Sequence, residues 1–552
     1  MKLLKYSRQK GNLASFYFES GFSLRLTLVF LSAIIFIYIL LRVNLINIPL
    51  DRDEGVFGYI GQVINDNGIP YVDAIDHKPP IVFYIYAFAL KFFPPSAKGV
   101  HLFLHLYNFL TLIVLFFVVD IYSKSRLMAL WTVSAYAVIS SSPIVQGFTA
   151  STEMFMLLPI SLSLLFIVLA IQKERLYYFI LSGVCGALSF WIKQTGAFII
   201  LFVVLYFINV LTWRVLRKEK SLLDFMRDIL LWGSGFIFIS VLIAGYFYFN
   251  NAFNEFVYWS FTHSFFYSQK SSIFLMWPII SQTLKDLFTG NFMIILPGIA
   301  GCLIMVKQKD KRGIWALSFL LFSFLAICPG YAYWHYFAQL LPALSVTSGI
   351  GTVYLLQFIP KKSRSAFLTL IICSIIFVPF LVHYNYYVRN SPEENIRDLF
   401  KGNPFQESIE LGKYIKEQTT DKDTIFIFGS EAQIFFYSER KSATAFALIY
   451  PLLTSFPKYM EFQHKAWKDI EQNDPKYIIF IEIQSTLSYD GKADLWIVRK
   501  IRELISTKYE LEAVMTIDTP KGRILKKSEL FETKNTFNHQ QFPIKIFRKK
   551  EN

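Results

Sequence analysis

Runs of Leu, Ile, Val and Phe that are almost free of charge and long enough to cross a bilayer as helices recur near 26–48, 99–122, 127–145, 153–171, 177–192, 196–212, 229–249, 291–306, 314–328, 336–358 and 366–383. The pattern predicts about eleven transmembrane helices. Within 177–212, Lys193-Gln194-Thr195-Gly196 predicts a tight turn between two short spans in place of one long tilted helix. Ile81 to Phe93 is apolar but short and ends in Pro94-Pro95, which suits an interfacial or re-entrant helix. Glu54 to Asn67 carries Gly55, Gly58 and Gly61 at a spacing that places them on one helical face, where small residues admit a close neighbouring helix or lipid chain. From about Tyr384 the pattern becomes that of a soluble α/β domain. Asn403-Pro404 predicts a helix N-cap followed by Pro at the first helical position, opening a helix to about Glu417. Thr424–Gly429 and Lys476–Ile481 read as short buried strands of a small, mostly parallel sheet. The expected division is a membrane domain over 1–383, with its first outer loop at 50–98, and an α/β domain over 384–552.

Composition agrees with a polytopic α-helical membrane protein: 54% of the 552 residues are hydrophobic and only 17% are charged. The 57 Phe and 31 Tyr suit lipid-facing and interfacial positions, so membrane lipids are expected partners. A formal charge of +15 would suggest nucleic acid in a soluble chain, but here the basic residues sit in clusters between apolar runs, which topology explains without nucleic acid. Lys2, Lys5, Arg8, Lys10 and Arg25 precede a first run too long for a cleaved signal, which reads as a retained signal-anchor helix with a cytoplasmic N-terminus. Alternation from that end puts 21 Lys and Arg in cytoplasmic segments and 8 in the opposite loops, the asymmetry of the positive-inside rule. The odd span number carries the C-terminus outside. Cys185, Cys302, Cys328 and Cys373 lie in or beside apolar runs, so no disulfide framework is implied.

The first outer loop concentrates ionisable residues: Asp51-Arg52-Asp53-Glu54-Gly55, then Asp76-His77-Lys78-Pro79-Pro80. At a membrane boundary such groups need solvent, partners or substrate. Acids at a helix start also act as caps, but capping needs one acid, and three with an arginine point to Asp53 as functional. The double proline holds an extended backbone, which presents Lys78 either to a lipid phosphate or as a snorkelling lysine. The C-terminal region carries neither G-x-G-x-x-G nor G-x-x-x-x-G-K-[ST], so it gives no nucleotide-binding signal.

A first span, Asp-Glu opening a glycine-rich loop helix, then Lys-Pro-Pro before Phe83-Tyr84-Ile85-Tyr86 resembles the first outer loop of the GT-C glycosyltransferases. The most similar subfamily is that of the protein O-mannosyltransferases and the aminoarabinose transferase of lipid A. Ser151-Thr152-Glu153, Trp191-Ile192-Lys193-Gln194-Thr195-Gly196 and His335-Tyr336 with Pro342 agree in order, and the resemblance covers roughly residues 20 to 360. It implies transfer of a sugar from a polyprenyl phosphate to an acceptor hydroxyl, with inversion. In that scheme Asp53 is the general base, Glu54 orients it or the sugar, and Lys78 stabilises the departing phosphate. Asp76 belongs to the same substrate-binding segment. His335 and Tyr336 resemble residues that help hold the lipid phosphate, or else anchor the interface, and Glu153 lines the cavity or is solvated. A phosphate is a good leaving group, so no cofactor is required. The resemblance also puts a metal at the position of His77, which with His263 would offer two imidazoles to zinc.

These readings describe an inverting glycosyltransferase of the cytoplasmic membrane, acting outside the cytoplasm on a lipid, glycan or protein acceptor. A lipid or polysaccharide transporter is the rival, although internal repeats and helices broken at the midplane are not apparent. A non-catalytic subunit of an envelope glycan assembly system is the other alternative.

Overall fold

The computed structural model describes residues 24–269, 272–517, 522–527 and 542–551. The basic residues Lys2, Lys5, Arg8 and Lys10, and the outer-loop Lys270, lie outside the described residues. The chain packs as two compact units. One comprises the segments ending at Leu45, Leu104–Ala244 and Ser268–Arg389; the other comprises Ile46–Phe103, Gly245–Tyr267 and the segment beginning at Asn390. The first outer loop therefore packs with the C-terminal α/β segment, whereas a cut at 384 would separate them.

The first unit is helical. A helix stands at each position where the sequence predicts a span, and among the described residues seven are long and apolar enough to cross a membrane. Arg126–Ile139 and Tyr177–Ile192 are shorter apolar helices, and the chain turns between Ile192 and Gly196 as the Lys193-Gln194-Thr195-Gly196 signal requires. The helix predicted to begin near 291 is present: helical geometry breaks at Asn291 within Ile273–Lys307, which divides that stretch into two helices. The first of the two covers 273–290, a stretch to which Gln282, Lys285 and Asp286 give the polar positions of a loop; Pro278 lies inside it and removes one backbone donor without ending it. Small residues set the closest approach inside this unit: a Cβ at Gly301 would lie 2.0 Å from the carbonyl oxygen of Gly351, and one at Gly298 would lie 2.5 Å from Cα of Ser348.

The second unit is built on a six-stranded sheet of β1 (Thr424–Phe428), β2 (Lys441–Ser442), β3 (Tyr477–Ile481), β4 (Tyr509–Met515), β5 (Ile524–Lys526) and β6 (Ile544–Lys549), in the order β2-β1-β3-β6-β4-β5. The sheet is mixed, not mostly parallel. β1 runs parallel to β2 and β3, but β6 enters antiparallel between β3 and β4, and β5 pairs antiparallel with β4. β1 and β3 carry unbroken apolar runs because both of their faces are covered. β6, Ile544-Lys545-Ile546-Phe547, mixes charge with apolar residues and is less visible in sequence.

The loop helix spans Arg52–Asn65 and is followed by a nine-residue helix, Ile81–Ala89, too short to cross a bilayer. The three glycines of the loop helix do allow close packing. A Cβ at Gly55 would come 2.5 Å from the backbone nitrogen of Gln433, at Gly58 2.7 Å from the Phe436 ring, and at Gly61 2.9 Å from the backbone nitrogen of Ala87. The helix expected after Asn403 is present as Phe405–Gln418, but Asn403 does not cap it. Its amide oxygen accepts from Arg52 (3.1 Å) and its NH₂ donates to the Phe400 carbonyl (3.3 Å), so the side chain is committed elsewhere.

Gly55→Ala is expected to destabilise the protein by about 1–3 kcal/mol, because the new methyl meets backbone that cannot yield. Gly233→Ala, where no atom lies within 4 Å, is the control and should be neutral or stabilising. Thermal unfolding of the two variants in detergent compares them.

Candidate active site

The predicted site residues fall into two groups, one in each unit. In the second unit the loop helix supplies three consecutive ionisable side chains. Asp51 caps the helix: its Oδ1 accepts from the Glu54 N–H (2.9 Å), while Glu54 Oε2 accepts from the Asp51 N–H (3.0 Å), a reciprocal capping box. Burial raises the Asp51 carboxyl well above the ordinary carboxylate range, and the charges of Glu54 and Asp53 add to that effect. Glu54 is fully buried, and its other oxygen lies 2.9 Å from Nε2 of His101, whose Nδ1 lies 3.1 Å from the Ile46 carbonyl. Asp53 stands apart, with a third of its side chain exposed and Oδ2 3.7 Å from the Lys78 ammonium. The fold thus brings together Asp53 and Lys78, which are 25 residues apart.

The Asp76–Pro80 segment is held from several directions. Asp76 Oδ1 accepts from the Lys78 N–H (2.8 Å), the Tyr71 hydroxyl donates to the Lys78 carbonyl (2.7 Å), and Ser264 donates to the His77 carbonyl (2.6 Å). The Ile75 N–H donates to the Ala445 carbonyl (2.9 Å), which ties the segment to the α/β part of the unit. Lys78 itself is nearly buried, so its ammonium is aimed by the surrounding backbone instead of swinging in solvent. Burial pushes the Asp76 carboxyl up to about 6; Lys78 opposes the shift and Asp53 reinforces it.

His77 and His263 do approach, with ring centroids 6.1 Å apart. His77 Nδ1 lies 2.8 Å from the Tyr450 hydroxyl, its Nε2 lies 3.4 Å from Lys78 Nζ, and its ring packs at a tilt against Tyr267, with centroids 4.6 Å apart. Among the described residues no group of three or more His, Cys, Asp or Glu side chains converges as a metal site would require. Catalytic zinc needs three protein ligands, so this pair does not fit one.

In the first unit Glu153 heads the helix Thr152–Lys173 and is buried. Its Oε1 is bonded to Lys193 and lies 3.8 Å from His335 Nε2, and its Oε2 accepts from the Thr152 hydroxyl (2.8 Å). The Lys193 ammonium sits 3.7 Å from the centre of the Tyr336 ring. Glu153, His335 and Tyr336 are therefore gathered around Lys193, with neighbouring Thr195 donating to Gln339 (2.8 Å). Glu153 is neither solvated nor isolated; the pairing satisfies a charge that would otherwise be costly to bury.

Sequence reasoning missed His101, Glu431 and Tyr450. Each contacts a loop residue 47 to 379 positions away. The local clue was the unusual number of charges at 51–54, which needed partners from somewhere.

Residues 77–237 match a family model described as dolichyl-phosphate-mannose-protein mannosyltransferase. That segment includes His77, Lys78, Glu153 and Lys193 and excludes Asp53, His263 and His335. The fold is similar to that of ArnT from Cupriavidus metallidurans in its crystal structure bound to undecaprenyl phosphate. The identity is 12%, covering 91% of this chain and 98% of that one, with a TM-score of 0.56. It is also similar to an oligosaccharyltransferase of Archaeoglobus fulgidus tethered with an acceptor peptide, at 13% identity, over 92% of this chain and 75% of that one, with a TM-score of 0.51. No curated protein matches the sequence. The chain is a multi-pass membrane protein with the GT-C fold, and a glycosyltransferase.

The raised carboxyl of Asp76 has a stability consequence. Its folded value near 6 exceeds the ordinary 3.8, so across that window the folded chain holds a proton that the unfolded chain has released. Stability contributed by this group therefore falls as pH rises from about 4 to about 6, by about 3 kcal/mol. Asp76→Asn should remove the dependence, so its unfolding temperature should gain on the wild type over that range.

Proposed function

We propose that this chain is an inverting glycosyltransferase that moves a sugar from a polyprenyl-phosphate donor to a hydroxyl of a lipid, glycan or protein acceptor at the outer face of the cytoplasmic membrane. The observation that carries the reading is the approach of Asp53 to Lys78, one partly exposed carboxylate 3.7 Å from a nearly buried ammonium in the loop between the first two long helices.

The acceptor hydroxyl gives its proton to Asp53 as its oxygen bonds to the anomeric carbon. The bond from that carbon to the phosphate oxygen breaks, and the electron pair leaves with the lipid phosphate. Lys78 moves its charge from Asp53 to that phosphate, where negative charge increases during the step. Attack opposite to the leaving group inverts the anomeric centre. Glu54 acts through the helix and not on the sugar, since its oxygens are bonded to His101 and to the helix N-terminus. Asp76 aims Lys78 by accepting its backbone N–H. Glu153, His335 and Tyr336 bind substrate through the Lys193 cluster of the first unit.

The donor class is supported by the undecaprenyl phosphate bound to the structurally similar ArnT. The excess of Lys and Arg in the alternate loops supports the outer-face orientation, with the N-terminus in the cytoplasm.

Mass spectrometry of lipid-linked sugars in cells with and without the chain tests the reading: its loss should make one prenyl-phosphate monosaccharide accumulate. Asp53→Asn should reproduce that accumulation and lower transfer by about 10²–10⁴-fold, and Lys78→Ala should do likewise. Unchanged lipid and glycan pools in both variants would defeat the assignment. A cysteine introduced at the exposed Asp66 should be labelled by an impermeant maleimide from outside intact spheroplasts; labelling only after lysis would reverse the orientation.

A further inference from the structure

Arg52 immediately precedes the proposed base and reaches into the α/β segment. Its Nε donates to the Ser430 carbonyl (2.7 Å), and its Nη2 donates to Glu431 Oε1 (2.6 Å) and to Asn403 Oδ1 (3.1 Å). Glu431 is wholly buried, so its negative charge depends on this partner, and its second oxygen accepts from Gln433 (2.6 Å). Ser430 and Glu431 follow the carboxyl end of β1, which has β2 on one side and β3 on the other. In open α/β sheets the crevice beyond such an end is where ligands usually bind. Here it takes a side chain of the protein's own loop.

The same short segment touches the loop helix at three further places. Gln433 meets the bare backbone at Gly55, Phe436 packs on Gly58, and the Phe436 carbonyl accepts from Gln62 (3.0 Å). The loop helix is thus seated along one face, while Asp53 is left with a third of its side chain exposed.

We propose that the carboxyl end of β1 is a socket for Arg52, and that Glu431 is a positioning residue for glycosyl transfer: through Arg52 it sets the placement of Asp53 and keeps the guanidinium from competing with Lys78 for that carboxylate. The inference rests on Asp53 being the base. It gives the C-terminal segment a part in transfer that is independent of which acceptor is bound.

The test uses the full-length protein in its membrane, with the amount of folded protein measured by size exclusion. Transfer is read as the turnover of the cell's prenyl-phosphate monosaccharide, and lipid binding is read with undecaprenyl phosphate as the probe. Glu431→Gln should lower transfer per folded molecule by about 100-fold, leave undecaprenyl phosphate affinity within about threefold, and be largely rescued in Glu431→Asp, which keeps the charge. Arg52→Lys keeps the charge but loses the fork, and should lose about tenfold in transfer. It serves as the measurement should Glu431→Gln not fold. Wild-type transfer by the folded variants, alongside an inactive Asp53→Asn, would overturn the socket and leave the base standing. An active Asp53→Asn would instead overturn the base. An equal loss of transfer and of lipid affinity would mark general damage and also overturn the proposal.

Discussion

Three consecutive ionisable residues at the start of one helix cannot share a partner, because successive side chains leave an α-helix about 100° apart. In this protein that constraint organises the whole second unit. Arg52 turns to Glu431, Glu54 turns to His101 and back to its own N-cap, and Asp53 is left facing Lys78. Buried charges persist only when paired and hydrogen-bonded. The neutralised neighbours therefore single out one carboxylate that keeps contact with solvent. A proton acceptor needs that freedom, and a structural acid does not.

Pairing at that distance in sequence demands close backbone packing, which the glycines supply. Gly55 and Gly58 let the Gln433–Ser438 helix lie close against the loop helix, with the Gln433 backbone at Gly55 and the Phe436 ring at Gly58. In the sheet behind it β1 and β3 are apolar on both faces, and Ser430 and Glu431 follow the carboxyl end of β1. The C-terminal segment is therefore bonded into the loop that carries the candidate base, and is not an appendage to it.

The first unit meets the same cost of buried charge in a more apolar setting. Glu153, Lys193, His335 and Tyr336 come from three separate helical segments and satisfy one another at their ends. Close crossings at Gly298, Gly301 and Gly351 hold the helices that frame the unit, where lipid gives little hydrophobic drive and close packing must take its place.

What the chain states locally was legible in it. Hydrophobic run length located the helices, and glycine spacing marked the packing face of the loop helix. The acids at 51–54 and the lysine before two prolines marked the candidate site, and the two buried strands showed as apolar runs. What depended on distant partners was not legible. Asn403 reads as a cap until Arg52 takes its side chain, and β6 does not stand out as a strand because lysine and arginine interrupt its apolar residues. The helix from Ile273 looks polar enough to be a loop. That Glu54 would be sealed against His101 while Asp53 stayed open follows from no local rule, because two adjacent carboxylates have the same intrinsic chemistry. Helical periodicity is written within a few residues, whereas the identity of a buried charge's partner is decided only when segments hundreds of residues apart compete for the same space.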